Sequence, residues 1–140
     1  MAHRSDPLGH DLRETIGRLV RRLRAEPGSQ PVAHGAVLGR LDREGPASTS
    51  DLAAAERMRP QSMAQTVHDL AAGGLVSRRP DPDDGRRALV ELTAKGRATL
   101  ARTRARREDW LNEAIERDLT AAERRTLREA LALLQRLADS

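Results

Sequence analysis

The side chains with chemical potential in this chain are arginines, glutamines and a few histidines, and their spacing suits contact more than catalysis. Arg78 and Arg79 precede a turn-rich PDPDDG segment, and Arg86 and Arg87 follow it. Guanidinium groups present planar, fork-shaped donors that match phosphate and base edges. Upstream, Gln61, Ser62, Gln65 and His68 fall at helical spacing. A glutamine amide can pair bidentately with adenine in a major groove, and a serine near a helix N-terminus suits a phosphate. The chemistry on offer is recognition of a polyanion with readable edges, as in double-stranded DNA. A solvated polar helix face and a structural hairpin tip held by Asp–Arg pairs remain open as plainer readings of the same residues.

Other chemistries find less support. There is no cysteine, which excludes disulfides, thiol-oxidation sensing and cysteine-ligated zinc. His3, His10, His34 and His68 show no HxxxH spacing, so no metal site is expected. Asp81, Asp83 and Asp84 hint at a calcium loop, but Gly85 falls one position early and Leu92 stands where the closing glutamate belongs. No nucleophile–base pair or phosphate loop can be assembled, so neither an enzyme nor a cofactor is expected.

Charge placement sharpens the picture. The formal net charge is +4, and 24 of the 25 basic residues are arginine. That preference fits phosphate contact and fits equally the codon usage of a GC-rich gene. Residues 75–107 hold ten basic and four acidic side chains, whereas residues 108–140 hold five and eight. One region is built to meet a polyanion. The segment 45–74, which carries the glutamines, has two basic and three acidic residues. A slightly acidic reader sits in tension with a DNA target.

The elements that must position these residues are mostly helical. Leu8, Leu12, Ile16, Leu19, Val20 and Leu23 line one face of a first helix, which Pro27-Gly28 ends. A second follows Pro31, turns Val32, Val37, Leu38 and Leu41 inward, and stops at Gly45-Pro46. Ser48 and Asp51 have capping-box spacing and begin a short third helix with Leu52, Ala53 and Met58 inward. Pro60 opens a fourth, whose apolar positions Met63, Val67 and Leu70 leave Gln61, Ala64, Gln65 and His68 on the opposite face. Gly73-Gly74 closes it. The period then changes from 3.6 to 2, with Val76, Ala88, Val90 and Leu92 on one side of a two-stranded hairpin. Thr93 caps a helix through Leu100, Trp110, Leu111 and Ile115, and Leu119 leads into a last one with Leu127, Leu131, Leu134 and Leu137.

The expected fold is mainly α, a winged helix-turn-helix with a two-stranded β wing between N- and C-terminal helices. The order of elements resembles the MarR family of bacterial transcription regulators over nearly the whole chain, most closely from Leu52 to Gly96. The family's D-x-R-x5-L-T wing signature stands as Asp84, Arg86, Leu92 and Thr93. The resemblance implies one domain over 1–140, with a DNA-binding lobe at 48–93 and dimerisation helices at 5–26 and 94–139. It implies Gln61, Ser62, Gln65 and His68 as the reading face and Arg86 in a minor groove, its guanidinium held by Asp84. Arg59, Arg78, Arg79 and Arg87 are the expected accompanying contacts. It also implies a small aromatic or anionic effector between the lobes, where His10, His34 and Trp110 are candidates.

A lone helix-turn-helix reads few base pairs, whereas a twofold dimer places two reading helices about 34 Å apart on a pseudo-palindrome. The apolar stripes on the terminal helices exceed what a small lobe can cover, so a homodimer is expected. With no signal-peptide core and no run of about 18 apolar residues, a cytoplasmic protein without membrane contact is expected. Two functions stay open: a homodimeric, effector-responsive DNA-binding regulator, and a winged-helix module that binds a protein partner without specific DNA binding.

Overall fold

The computed structural model describes residues 7–140. His3 and positions 5–6 of the expected first dimerisation segment lie outside them. The order is α1 (Leu8–Arg24), α2 (Val32–Glu44), β1 (Ala47–Ser48), α3 (Thr49–Ala55), α4 (Pro60–Ala72), β2 (Val76–Pro80), β3 (Ala88–Leu92), α5 (Ala94–Asp118) and α6 (Ala121–Ala138). Both β1 and β2 pair antiparallel with the central β3. The expected wing is thus the larger part of a three-stranded sheet. Strand β1 is only two residues long, too short to show any alternation of hydrophobicity, and it forms because β3 offers it an edge.

The core lies where α2, α3, α4 and the sheet converge. Val37, Leu38, Leu41, Leu52, Ala53, Met63, Val67, Leu70, Leu75, Val76, Val90 and Leu92 are buried. Ala88, expected inward, is exposed because it stands at the far end of the hairpin, opposite Pro80 and beyond the helices. Val32 is 62% exposed. It opens the first turn of α2, which overhangs a cleft instead of the core. Met58 packs on the core from the turn after α3 has ended at Ala55.

Local chemistry fixes the helix ends. The Ser48 hydroxyl accepts a hydrogen bond from the Asp51 N–H at 3.1 Å, one half of the expected capping box. In the helix-turn-helix turn, Arg57 adopts φ 53°, a left-handed conformation unusual for a residue with a Cβ. Helix α4 closes in a Schellman motif: the Leu75 N–H donates to the Leu70 carbonyl, Gly74 donates to Ala71, and Gly74 takes φ +74°. The Thr93 N–H then donates to the Leu75 carbonyl, while its hydroxyl donates to the Gly74 carbonyl and accepts from the Gly96 N–H. These bonds draw the start of α5 against the end of α4. A Cβ on Gly96 would be driven into the Leu75 carbonyl oxygen.

Helix α1 packs on α5, but α6 has no comparably packed neighbour. Ile16 is 44% exposed, Leu131 50% and Leu137 60%. The terminal stripes do not bury one another within one chain. No helix among the described residues is long and apolar enough to cross a membrane.

Candidate nucleic-acid interface

Helix α4 divides as its periodicity demands. Met63, Thr66, Val67 and Leu70 are buried, leaving Gln61, Ser62, Gln65, His68 and Asp69 on the exposed side. Arg59 stands at the N-cap in extended conformation, with Pro60 beginning the first turn, where a proline costs no hydrogen bond. The helix therefore presents amide and hydroxyl groups over most of its length and a cation at its start.

The hairpin tip is built from its own aspartates. Asp81 Oδ1 accepts from the Asp83 N–H at 2.9 Å, and Asp84 Oδ1 accepts from the Arg86 N–H at 3.1 Å. These are Asx turns, in which a short acidic side chain replaces a backbone acceptor. The expected Asp84–Arg86 pair therefore takes a different form. Asp84 holds the backbone of Arg86 and shapes the tip, while the Arg86 guanidinium has no partner among the described residues. Two residues apart at a tight tip, the carboxylate reaches the nearer N–H first.

The other wing arginines divide by company. Arg79 Nε donates to Glu91 across the strands at 3.1 Å, and Arg78 has no such partner among the described residues. Arg87 reaches back 39 positions to Ser48 Oγ at 2.8 Å and also bonds Asp51 Oδ2 at 2.8 Å. Arg87 thus braces the wing against the start of α3. Ser48 is the N-cap of that helix, and Asp51 supplies the N–H it accepts from.

The same bonds answer the acidity of the helix-turn-helix. Its three acidic residues are each committed internally: Asp51 to Arg87, Glu56 to Arg40 at 2.7 Å, and Asp69 to Gln65 at 2.8 Å with His34 Nε2 at 3.8 Å. Glu56 and then Glu44 accept from the Arg40 guanidinium and push its pKa above the ordinary value. Two of the three acids are thus neutralised by arginines from outside the motif. Arg57 and Arg59 keep theirs uncompensated among the described residues.

Behind this face, α1, α2 and α5 enclose a cleft of about 360 Å³ lined by Arg24, Gln30, Val32, Arg43, Thr103 and Arg107, among others. Arg24, Arg43 and Arg107 have no acidic partner among the described residues. Arg107 Nε is buried there without a hydrogen bond. The lining Glu56 is paired with Arg40 at 2.7 Å, so Arg24, Arg43 and Arg107 leave the cleft with uncompensated positive charge that suits an anion.

A sequence model of the MarR family matches residues 31–87. The chain is 37% identical over 134 residues to an HTH-type transcriptional regulator of Mycobacterium tuberculosis, covering 94% of this chain and 93% of that one. The chain belongs to the MarR family. Among solved structures, a transcriptional regulator of Pseudomonas aeruginosa superposes with a TM-score of 0.86 at 40% identity, covering 100% of this chain and 99% of that one. BpsR of Bordetella bronchiseptica, described with a mechanism for regulation of its DNA binding by 6-hydroxynicotinic acid, gives 0.62 at 26% identity over 100% and 99%. This MarR-family chain is accordingly a transcriptional regulator and not an enzyme.

Against the MarR-family expectation, His10, His34 and Trp110 are not brought together, and none of them lines the cleft. His10 is exposed near the start of α1. His34 precedes the cleft residue Gly35 by one position, and that turn of about 100° directs it to Asp69 on α4. Trp110 is half-buried with the Arg22 guanidinium 4.1 Å from its ring centroid, a cation–π contact that joins α1 to α5. The lining arginines Arg24, Arg40, Arg43 and Arg107 are spread over three helices, and no short-range spacing relates one helix to the next. Within single helices, Arg40 and Arg43 on α2 and Thr103 and Arg107 on α5 stand three and four positions apart and so share a face.

Proposed function

We propose that this MarR-family regulator is a homodimeric repressor that binds a pseudo-palindromic duplex through Gln61, Ser62, Gln65 and His68 of α4, with Arg59, Arg78 and Arg86 on the backbone and minor groove. The observation that carries this reading is that every acid in the helix-turn-helix is engaged internally, Asp51 and Glu56 by arginines and Asp69 by the Gln65 amide, while Arg59, Arg78 and Arg86 have no partner among the described residues and stand beside a polar reading face. Arg79 and Arg87, engaged with Glu91 and Asp51, act first in holding the wing's shape. They add charge to the surface the phosphates meet.

A salt titration on duplexes selected from a random pool tests this. Two protomers with three such arginines each imply about six contacts, and affinity should fall roughly 10³-fold between 50 and 200 mM salt. The selected sites should be palindromic. Flat salt dependence, or no preference over random duplex, rejects DNA regulation and leaves the protein-binding module.

The α1–α2–α5 cleft is the effector site in this reading, and its chemistry calls for a small carboxylate held by Arg24, Arg43 and Arg107. The regulation of BpsR by 6-hydroxynicotinic acid, an aromatic carboxylate, supports that class. An effector seated there touches both a terminal helix and α2, which packs on α4 and β3 of the DNA-binding lobe, so it can favour one spacing of the two reading helices over another. Aromatic carboxylates should raise the melting temperature where their neutral amides do not. Arg107→Gln should abolish that shift.

A further inference from the structure

Asp69 lies on α4 one turn beyond Gln65, and Gln65 Nε2 donates to Asp69 Oδ1 at 2.8 Å. The other carboxylate oxygen faces His34 Nε2 of α2 at 3.8 Å. Asp69 is thus approached from two helices, one of them the reading helix itself. We infer that Asp69 is a positioning residue for base recognition, fixing which end of the Gln65 amide faces DNA. The inference rests on the assignment of Gln65 as a base reader.

The physical basis is the one-sidedness of a carboxylate. An amide offers an acceptor oxygen and a donor nitrogen of nearly the same shape, and a free glutamine can present either end to a base. An ionised carboxylate only accepts, so the nitrogen must face it. The Nε2 hydrogen that points back along the side chain is the one able to reach a residue on the same helix. Its second hydrogen and Oε1 then project together as a fork. That fork matches N7 and N6 of adenine, an acceptor and a donor, and it mismatches guanine, which offers two acceptors.

The contact also removes a cost. A long polar side chain loses rotamer freedom when it binds, and a side chain already held at its tip loses less. His34 stands 3.8 Å from the carboxylate, beyond hydrogen-bond distance, on an element that packs against α4, so the hydrogen bond that orders the pair is the one from Gln65. An acid on a DNA-reading face is otherwise a liability because it repels phosphate. Its presence there is accounted for if it orders the group that reads the base.

The test measures affinities for a duplex selected by the wild-type protein and for every single-base substitution of it, by fluorescence anisotropy. Gln65→Ala should remove the preference at one base pair of each half-site, where a bidentate contact supplies about 5- to 150-fold discrimination. Asp69→Ala should reduce discrimination at that same base pair by roughly 5-fold or more, on the same scale of contact strength, and leave the other positions unchanged. Asp69→Asn should also reduce it, because an asparagine can hold the glutamine in either orientation. Asp69→Glu, which keeps an acceptor-only partner, should restore it.

A purely electrostatic or structural Asp69 would shift affinity for all duplexes by one factor, leaving the profile intact. Such a uniform shift alongside a clear Gln65→Ala effect overturns the inference alone. If Gln65→Ala leaves every position unchanged, the assignment of the reader falls and the positioning role with it. Circular dichroism at the binding temperature confirms that each variant retains its helices.

Discussion

The guanidinium groups of Arg86 and Arg87 leave the same hairpin tip in different company, one unpartnered among the described residues and the other bonded to Ser48 and Asp51. Arg86→Ala should therefore cost about 1–3 kcal/mol in DNA binding and lower the salt slope by about one, with little change in melting temperature. Arg87→Ala should act through the brace. Its effect on DNA affinity should be matched by Asp51→Ala, and the double variant should lose little more than either single one, a non-additivity that a double-mutant cycle reads directly. Fully additive losses would return Arg87 to the phosphate-contacting set. Four arginines around the tip were legible from spacing alone. Their division of labour was not, because it depends on whether each meets an acid across 12 to 36 positions of chain.

Among the elements, the junction of α4 and α5 is the least forgiving, because Gly96 sits against the Leu75 carbonyl that Thr93 uses as its acceptor. Gly96→Ala should destabilise the lobe by about 2–3 kcal/mol, seen as a lower midpoint in urea, since the added methyl meets backbone that cannot rotate aside. At α6, Thr120 and Glu123 form a complete capping box. The Glu123 carboxyl is held below its ordinary pKa chiefly by the Thr120 N–H and further by the Thr120 side chain. A folded value below the unfolded one contributes stability above the unfolded carboxylate range, and that contribution is lost as pH falls through the folded value. Melting temperature should thus drop more steeply below about pH 4.5 in the wild type than in Glu123→Gln. Helix phases and the Thr93 cap were visible in sequence; the third strand was not, because two residues carry no period.

For the whole molecule, the decisive feature is how little of α1 and α6 one chain covers. Ile16, Leu19, Leu131, Leu133 and Leu137 are all exposed large apolar residues. Such stripes on the terminal helices are what a twofold partner would bury. Leu131→Glu with Leu137→Glu should convert a dimer to a monomer in sedimentation equilibrium. The lobe core, which contains no α6 residue, should keep its helical signal. Affinity for the full palindrome should fall by roughly 100-fold as the two half-sites cease to be linked. A wild type that sediments as a monomer at micromolar concentration would remove the dimer from the proposal.

Sequence by itself determined the helices, most of their inward faces, the wing and the family, because those rest on periods, caps and turn residues read within a few positions of one another. Tertiary structure alone decided which charges were spoken for. Asp51, Glu56 and Asp69 make the reading motif acidic on paper, and their partners Arg87, Arg40 and His34 arrive from other elements to bind or face them. The cleft arginines were equally invisible, since Arg24, Arg43 and Arg107 converge only when α1, α2 and α5 pack. Backbone preference is local and can be read along the chain. Electrostatic commitment depends on distance in space, and only the folded chain sets it.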